Sequence, residues 1–218
     1  ILNVTPDSFF DGGNYSNLDA ALRRARVIFD EGADILDVGG ESTRPGSGGC
    51  TVDEELARVV PVITALRQGP SRYPLPISID TSRAEVAAAA LSAGADVVND
   101  VSGGVREPEI LEVAADHGAG VILMHMRGRP QNMQDHVEYE DLLAEVIHGL
   151  RSSCGAASAV GIPSERQAVD PGIGFGKSAS GCLSLVACLA ELQELGRPIL
   201  VGASRKSFLG GLFGHEED

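Results

Sequence analysis

A (β/α)₈ barrel, the TIM class of α/β fold, is what this chain predicts, and three observations carry the prediction. Short apolar runs alternate with Ala/Leu/Glu-rich stretches of helical period along its 218 residues. The runs lack polar alternation, so they read as buried parallel strands. Polar residues gather directly after each run, at the strand ends where barrels of this class build their sites.

Taken in order, the strands are expected at Ile1–Val4, Ile35–Val38, Ile77–Ile79, Val97–Asn99, Val121–Met124, Ala168–Asp170 and Ile199–Val201. Helices are expected at Leu18–Glu31, Val52–Arg67, Arg83–Ala93, Glu107–His117, Tyr139–Gly155 and Leu183–Leu195. Leu22, Ala25, Ile28 and Phe29 have the spacing of one amphipathic face. Pro61 falls inside the second helix, which should kink or split there. Glycines at 32, 94, 118 and 196 follow helix ends, where a C-terminal cap is expected. Seven such strands would leave a gap in a doubly wound sheet but suit a barrel of about 250 residues. The expectation is one barrel domain over residues 1–218, truncated at both ends. No initiator Met precedes Ile1, and no eighth strand–helix unit follows the seventh strand.

Composition narrows the partners. Apolar residues make up 43% and charged residues 22%, the balance of a globular core, with aromatics at 4% and no Trp. A net charge of −14 leaves no room for a face-wide basic patch, so no nucleic-acid partner is expected. An anionic substrate would have to be held by a few local cations, helix N-termini or a metal ion. Cys50, Cys154, Cys182 and Cys188 form no C-x-x-C pair and read as free thiols of a reducing, cytoplasmic setting. No apolar run reaches the roughly 18 residues of a membrane span, and no signal peptide is expected.

The strand exits hold the chemistry. Asn3 and Thr5-Pro6-Asp7-Ser8 end the first, and Gly39 through Gly46 the second. Asp80-Thr81-Ser82, Asn99-Asp100 and Met124-His125-Met126 end the next three. Asp170-Pro171-Gly172 and Gly202-Ala203-Ser204-Arg205-Lys206 end the last two. Any one of these could be a turn or helix cap; seven in succession describe a convergent site. The five histidines show no metal-ligand spacing, and His125 reads as structural.

The same segments carry a family resemblance. ILNVTPDSFFDGG, DVGGESTRPGS, SIDTSRAEV, VVNDVSGG, ILMHMRG, VDPGIGFGK and VGASRKSF resemble, in order, the motifs of the dihydropteroate synthases. That resemblance implies a reaction joining 6-hydroxymethyl-7,8-dihydropterin pyrophosphate to 4-aminobenzoate, with Mg²⁺ assisting and sulfonamides imitating the aminobenzoate. It implies a pterin pocket of Asp80, Asn99, Met124, Asp170 and Lys206. It implies an aminobenzoate site of Thr43, Arg44, Pro45, Phe175 and Ser204, and Asn3 as the metal-linked residue.

The chemistry agrees with those assignments. A pterin presents an N–H and an NH₂ on one edge, which a carboxylate accepts side by side. Asp80 and Asp170 suit that task as the principal catalytic carboxylates, and Asn99 can read a mixed donor–acceptor edge. Lys206 by itself would be assigned to a phosphate; the resemblance sets it against the pterin, as the third catalytic group. Phe175 between two glycines suits stacking on an aromatic ring. Arg44 suits pyrophosphate oxygens, being always charged and bidentate. Mg²⁺ on a pyrophosphate needs only one or two protein ligands, so no all-protein cage is expected. Two departures stand out: an Arg-x-His of strand eight has no counterpart, and Ser178 to Cys182 replaces a Glu-His-Asn segment. A pterin-binding methyltransferase domain and a non-catalytic paralogue are the alternatives. A homodimer is allowed.

Overall fold

The computed structural model of the chain describes residues 1–5, 14–41, 49–68, 73–128, 133, 137–204, 206 and 209, with the backbone alone at 14–17. Among these, six strands form one sheet in the order β1 to β6. They are β1 (Leu2–Asn3), β2 (Leu36–Gly39), β3 (Ile77–Asp80), β4 (Val97–Asp100), β5 (Gly120–Met124) and β6 (Gln167–Asp170). Every neighbouring pair is parallel. Helices α1 (Asn14–Asp30), α2 (Val52–Gln68), α3 (Ala84–Ala93), α4 (Glu109–Asp116), α5 (Leu142–Ala159) and α6 (Ala179–Ala187) complete the alternation. No described helix is long and apolar enough to cross a membrane.

The strands are not uniformly apolar, and this corrects the sequence reading. Leu36, Val38, Ile77, Ile79, Val98, Val121, Leu123 and Val169 share one sheet face and are at most 3% exposed. They belong to one core with Val59 and Ile63 of α2, Val86 and Ala90 of α3, Ile110 of α4 and Leu150 of α5. Each such side chain contributes roughly 1.5–3 kcal/mol on burial. The intervening residues point to the opposite face, because successive strand side chains alternate. There lie Asn3, Asp37, Ser78, Asp80, Asn99 and Asp170. The β/α core thus holds the apolar set while the inner face turns polar toward the strand ends.

Several boundaries move for local reasons. Asp141 accepts a hydrogen bond from the Ala144 amide at 3.0 Å, so α5 starts at Leu142 rather than Tyr139. Ser178 caps the Gly181 amide at 3.1 Å, so α6 starts four residues early and stops at Ala187. The rest of the expected last helix, Leu189–Leu195, is a 3₁₀ segment. Pro61 does not split α2. It and Ala57, whose carbonyl loses its amide partner, both face water. The seventh run makes only a single parallel bridge, Ile199 to Val169. Leu200 and Val201 stay 37% and 38% exposed beyond it.

Candidate active site

Sheet register decides which side chains meet. Asn3, Gly39, Asp80 and Asn99 are successive partners across β1 to β4. Met124 and Asp170 pair two residues further toward the exits of β5 and β6, since Asn99 is level with Ile122 and Ala168. Partners in a parallel pair point the same way, about 4.8 Å apart, so these groups line one mouth.

Gly39 matters by what it lacks. A Cβ there would lie 3.5 Å from both Cβ and Oδ2 of Asp80 and 3.7 Å from Oδ1 of Asn3. The bare backbone keeps open the space that Asn3 and Asp80 share. Below it, Asp37 accepts a hydrogen bond from Ser78 Oγ at 2.5 Å and longer ones from Asn99 Nδ2 at 3.3 and 3.4 Å. The Asn99 amide is thereby turned with its nitrogen inward and its oxygen toward the mouth. Burial pushes the Asp80 carboxyl well above the usual carboxylate range, and the neighbouring Asp37 charge adds to it. Asp37 is also raised by burial, against the Ser78 and Asn99 hydrogen bonds.

On the opposite side, Asp170 accepts from the Gly172 amide at 2.7 Å. Burial raises its pKa to about 6, opposed by that amide and by Lys206 and Lys177. Lys206 runs over Gly174, where a Cβ would be 3.1 Å from its Cδ, and its Nζ lies 4.0 Å from the centroid of the Phe175 ring. Its pKa is lowered by burial, while Asp170, Cys182 and Asp80 pull it back up. Of these three groups Asp170 of β6 acts on it most strongly and Asp80 of β3 least. Lys177 is 4% exposed, and burial lowers its pKa to about 7. His125 is held neutral, its pKa lowered to about 3 by burial and by Lys177 and Arg127.

At the rim by β2, Arg83 donates to Glu55 Oε2 at 2.9 Å, to the Cys50 carbonyl at 2.6 Å and to Glu41 at 3.4 Å. Glu41, Cys50 and Glu55 cluster closely enough to suggest a metal site, but the guanidinium already supplies the cation. Asn3 and Asp80 fit Mg²⁺ better, since both offer hard oxygen donors to one open space.

Comparison with known proteins settles the family. The model of the pterin binding enzymes matches residues 1–217. This chain belongs to the pterin binding enzyme family. The dihydropteroate synthase of Synechocystis is 51% identical over 210 residues, covering 96% of this chain and 72% of its own. A Clostridium difficile dihydropteroate synthase, solved in the presence of pteroic acid, superposes with a TM-score of 0.91 at 42% identity, over 99% of this chain and 79% of that one. A Xanthomonas albilineans dihydropteroate synthase with 4-aminobenzoic acid does so with 0.89 at 46% identity, over 99% and 75%.

Within this pterin-binding barrel, Asn3, Asp80, Asn99, Met124, Asp170, Phe175 and Lys206 lie around one mouth. Ser204 is exposed in the turn after the Ile199 bridge. Thr43, Arg44 and Pro45 lie outside the described residues. Sequence reasoning missed Asp37, Gly39 and Lys177. Alternation gave a signal for Asp37, which stands two residues before Gly39 and so shares its face. Lys177 closes the VDPGIGFGK segment, but nothing in that segment gave the lysine a role.

Proposed function

We propose that this chain condenses 6-hydroxymethyl-7,8-dihydropterin pyrophosphate with 4-aminobenzoate to give 7,8-dihydropteroate and pyrophosphate, as a cytoplasmic enzyme of folate biosynthesis. The observation that carries this reading is the Lys206 ammonium 4.0 Å from the centroid of the Phe175 ring, beside the strand exits that carry Asp80 and Asp170. Asp170 accepts the N–H and NH₂ of the pterin edge, and Asn99 presents its carbonyl oxygen to the same ring. Met124 packs under the pterin. Asp80, opposite, stabilises the positive charge that develops on the pterinylmethyl carbon as its C–O bond breaks. Phe175 and Ser204, with Thr43 and Pro45, receive the aminobenzoate, and Arg44 receives the pyrophosphate. Asn3 would hold Mg²⁺, which supplies charge neutralisation to the leaving pyrophosphate when bound. The arylamine nitrogen then forms the new C–N bond and gives up a proton. The work is electrostatic and positional, and no covalent nucleophile is needed.

The test is product formation. Pyrophosphate release should require both substrates and yield a product with the mass of 7,8-dihydropteroate, and a sulfonamide should compete with 4-aminobenzoate alone. Pyrophosphate release that ignores 4-aminobenzoate would refute the reading.

A further inference from the structure

Lys177 is unusual among the cations of this chain. It sits between Gly176 and Ser178 in the loop after β6, yet only 4% of it is exposed. A buried ammonium needs partners, and here they are backbone carbonyls. Nζ donates to Phe175 O at 2.9 Å and, 52 residues away in sequence, to His125 O at 3.1 Å. Those carbonyls belong to two exits, of β6 and of β5. A Cβ on Gly172 would lie 2.0 Å from His125 O and 3.2 Å from Lys177 Nζ, so the two loops are in direct contact where the lysine bridges them. Tyr139 ties the same loop from outside, donating to Gly176 O at 2.9 Å, and the Phe175 amide closes a turn on Gly172 O at 3.0 Å.

We propose that Lys177 is a positioning residue for the arylamine substrate: by tying the Phe175 carbonyl to the His125 carbonyl, it fixes the Phe175 ring under Lys206. The proposal rests on the reading above, in which Phe175 and Lys206 border the aminobenzoate. Lys177 itself touches no substrate; its ammonium is enclosed beneath the loop whose ring it orients. Two N–H bonds remain to a neutral amine, so the clamp holds in either protonation state of the lysine. Lys206 is set differently. It approaches the ring from the seventh exit and depends on that ring being in place.

The experiment is a double-mutant cycle in steady-state kinetics of the full chain, with Lys177→Met, Phe175→Leu and the pair. Lys177→Met keeps the volume and removes both donated hydrogen bonds. It should raise KM for 4-aminobenzoate by about tenfold, the order expected for buried carbonyls losing a charged donor. KM for the pterin pyrophosphate should stay within about twofold. In the Phe175→Leu background the same change should cost less than about twofold, because a residue acting through the ring has nothing left to orient. Lys177→Gln, which keeps a shorter donor, should fall between, and it stands in if the Met variant does not fold. An equal rise in both KM values, or an undiminished effect in the Phe175→Leu background, overturns the proposal. If Phe175→Leu alone raises KM for 4-aminobenzoate while both Lys177 variants are silent, the proposal fails and the binding reading stands. If Phe175→Leu leaves that KM unchanged, the binding reading fails and takes the proposal with it.

Discussion

The two halves of the mouth are built from opposite charges. On the inner face of β2 and β3 stand Asp37 and Asp80, both with carboxyls raised chiefly by burial. The cation beside them, Arg83, is already engaged by Glu55, Glu41 and the Cys50 carbonyl. In the loop after β6 stands Lys177 and beyond the seventh run Lys206, both lowered by burial, with Asp170 at the exit of β6. One half offers acceptors whose described neighbour Arg83 is already engaged; the other offers one desolvated donor, Lys206. A flat ligand with a donor edge and an anionic tail gains from spanning both. The difference also separates structural charge from site charge. Arg83 is consumed by the fold, whereas Lys206 lies against an aromatic face.

The sharpest way to break the acidic half is to remove its internal cation. Glu55 is 0% exposed and paired with Arg83 at 2.9 Å. Arg83→Met leaves that carboxylate buried without its cation and should cost about 3–5 kcal/mol of stability. Urea unfolding measures it. Adding Glu55→Met should recover most of the loss, since replacing both partners removes the stranded charge. A double variant no more stable than the single one would show that the loss comes from packing instead.

On the basic half, Asp170→Asn should weaken pterin binding by roughly 1.5–3 kcal/mol, the range for hydrogen bonds to a charged group. Calorimetry with the pterin pyrophosphate reads this directly. The pH dependence sharpens it. Asp170 has a pKa of about 6, and the donor edge needs its ionised form. Wild-type affinity should therefore rise with pH through about 6, by up to tenfold per unit below that point, and Asp170→Asn should abolish the step. Stability runs the other way. A carboxyl raised on folding favours the native chain below its unfolded pKa of about 3.9, and that contribution is lost as pH rises through about 6. A flat wild-type binding profile between about pH 5 and about pH 7 would remove Asp170 from the pterin edge.

What the sequence made legible follows the range over which each feature is determined. The six strands and the polar groups at their exits were readable because each rests on a short apolar run and the residue after it. Asp80, Asn99 and Asp170 each sit at or beside the last residue of a strand. The apolar runs hid an alternation, because one face of a short buried strand needs only two polar residues to be a site; Ser78 and Asp80 show this in β3. Lys177 was illegible for a different reason. Its burial is set by the His125 carbonyl, which no local pattern connects to a Gly-Phe-Gly-Lys loop. Arg83 read as a helix start, and its partners lie 28 to 42 residues away. The last helix starts early at the Ser178 cap, and after Cys188 the chain continues as a 3₁₀ segment that its apolar spacing did not mark.

The smallest expected effect tests the inner layer of the acidic half. Asp37 receives Ser78 Oγ and Asn99 Nδ2, and so sets which end of the Asn99 amide faces the mouth. Asp37→Asn keeps one acceptor oxygen and adds a competing donor, so Asn99 is free to turn and present nitrogen where it had presented oxygen. That should cost pterin affinity about 0.5–1.5 kcal/mol, the net value of an ordinary hydrogen bond. A second consequence opposes the first. The Asp37 charge helps raise the Asp80 carboxyl, so its removal lowers Asp80 and leaves a fuller negative charge in the mouth. The pterinylmethyl cation would welcome that charge, so kcat should fall less than affinity does. Calorimetry and steady-state kinetics on the one variant separate the two effects. If Asp37→Asn costs as much affinity as Asp170→Asn, then Asp37 meets the pterin itself, and the inner layer is part of the binding edge instead of its support.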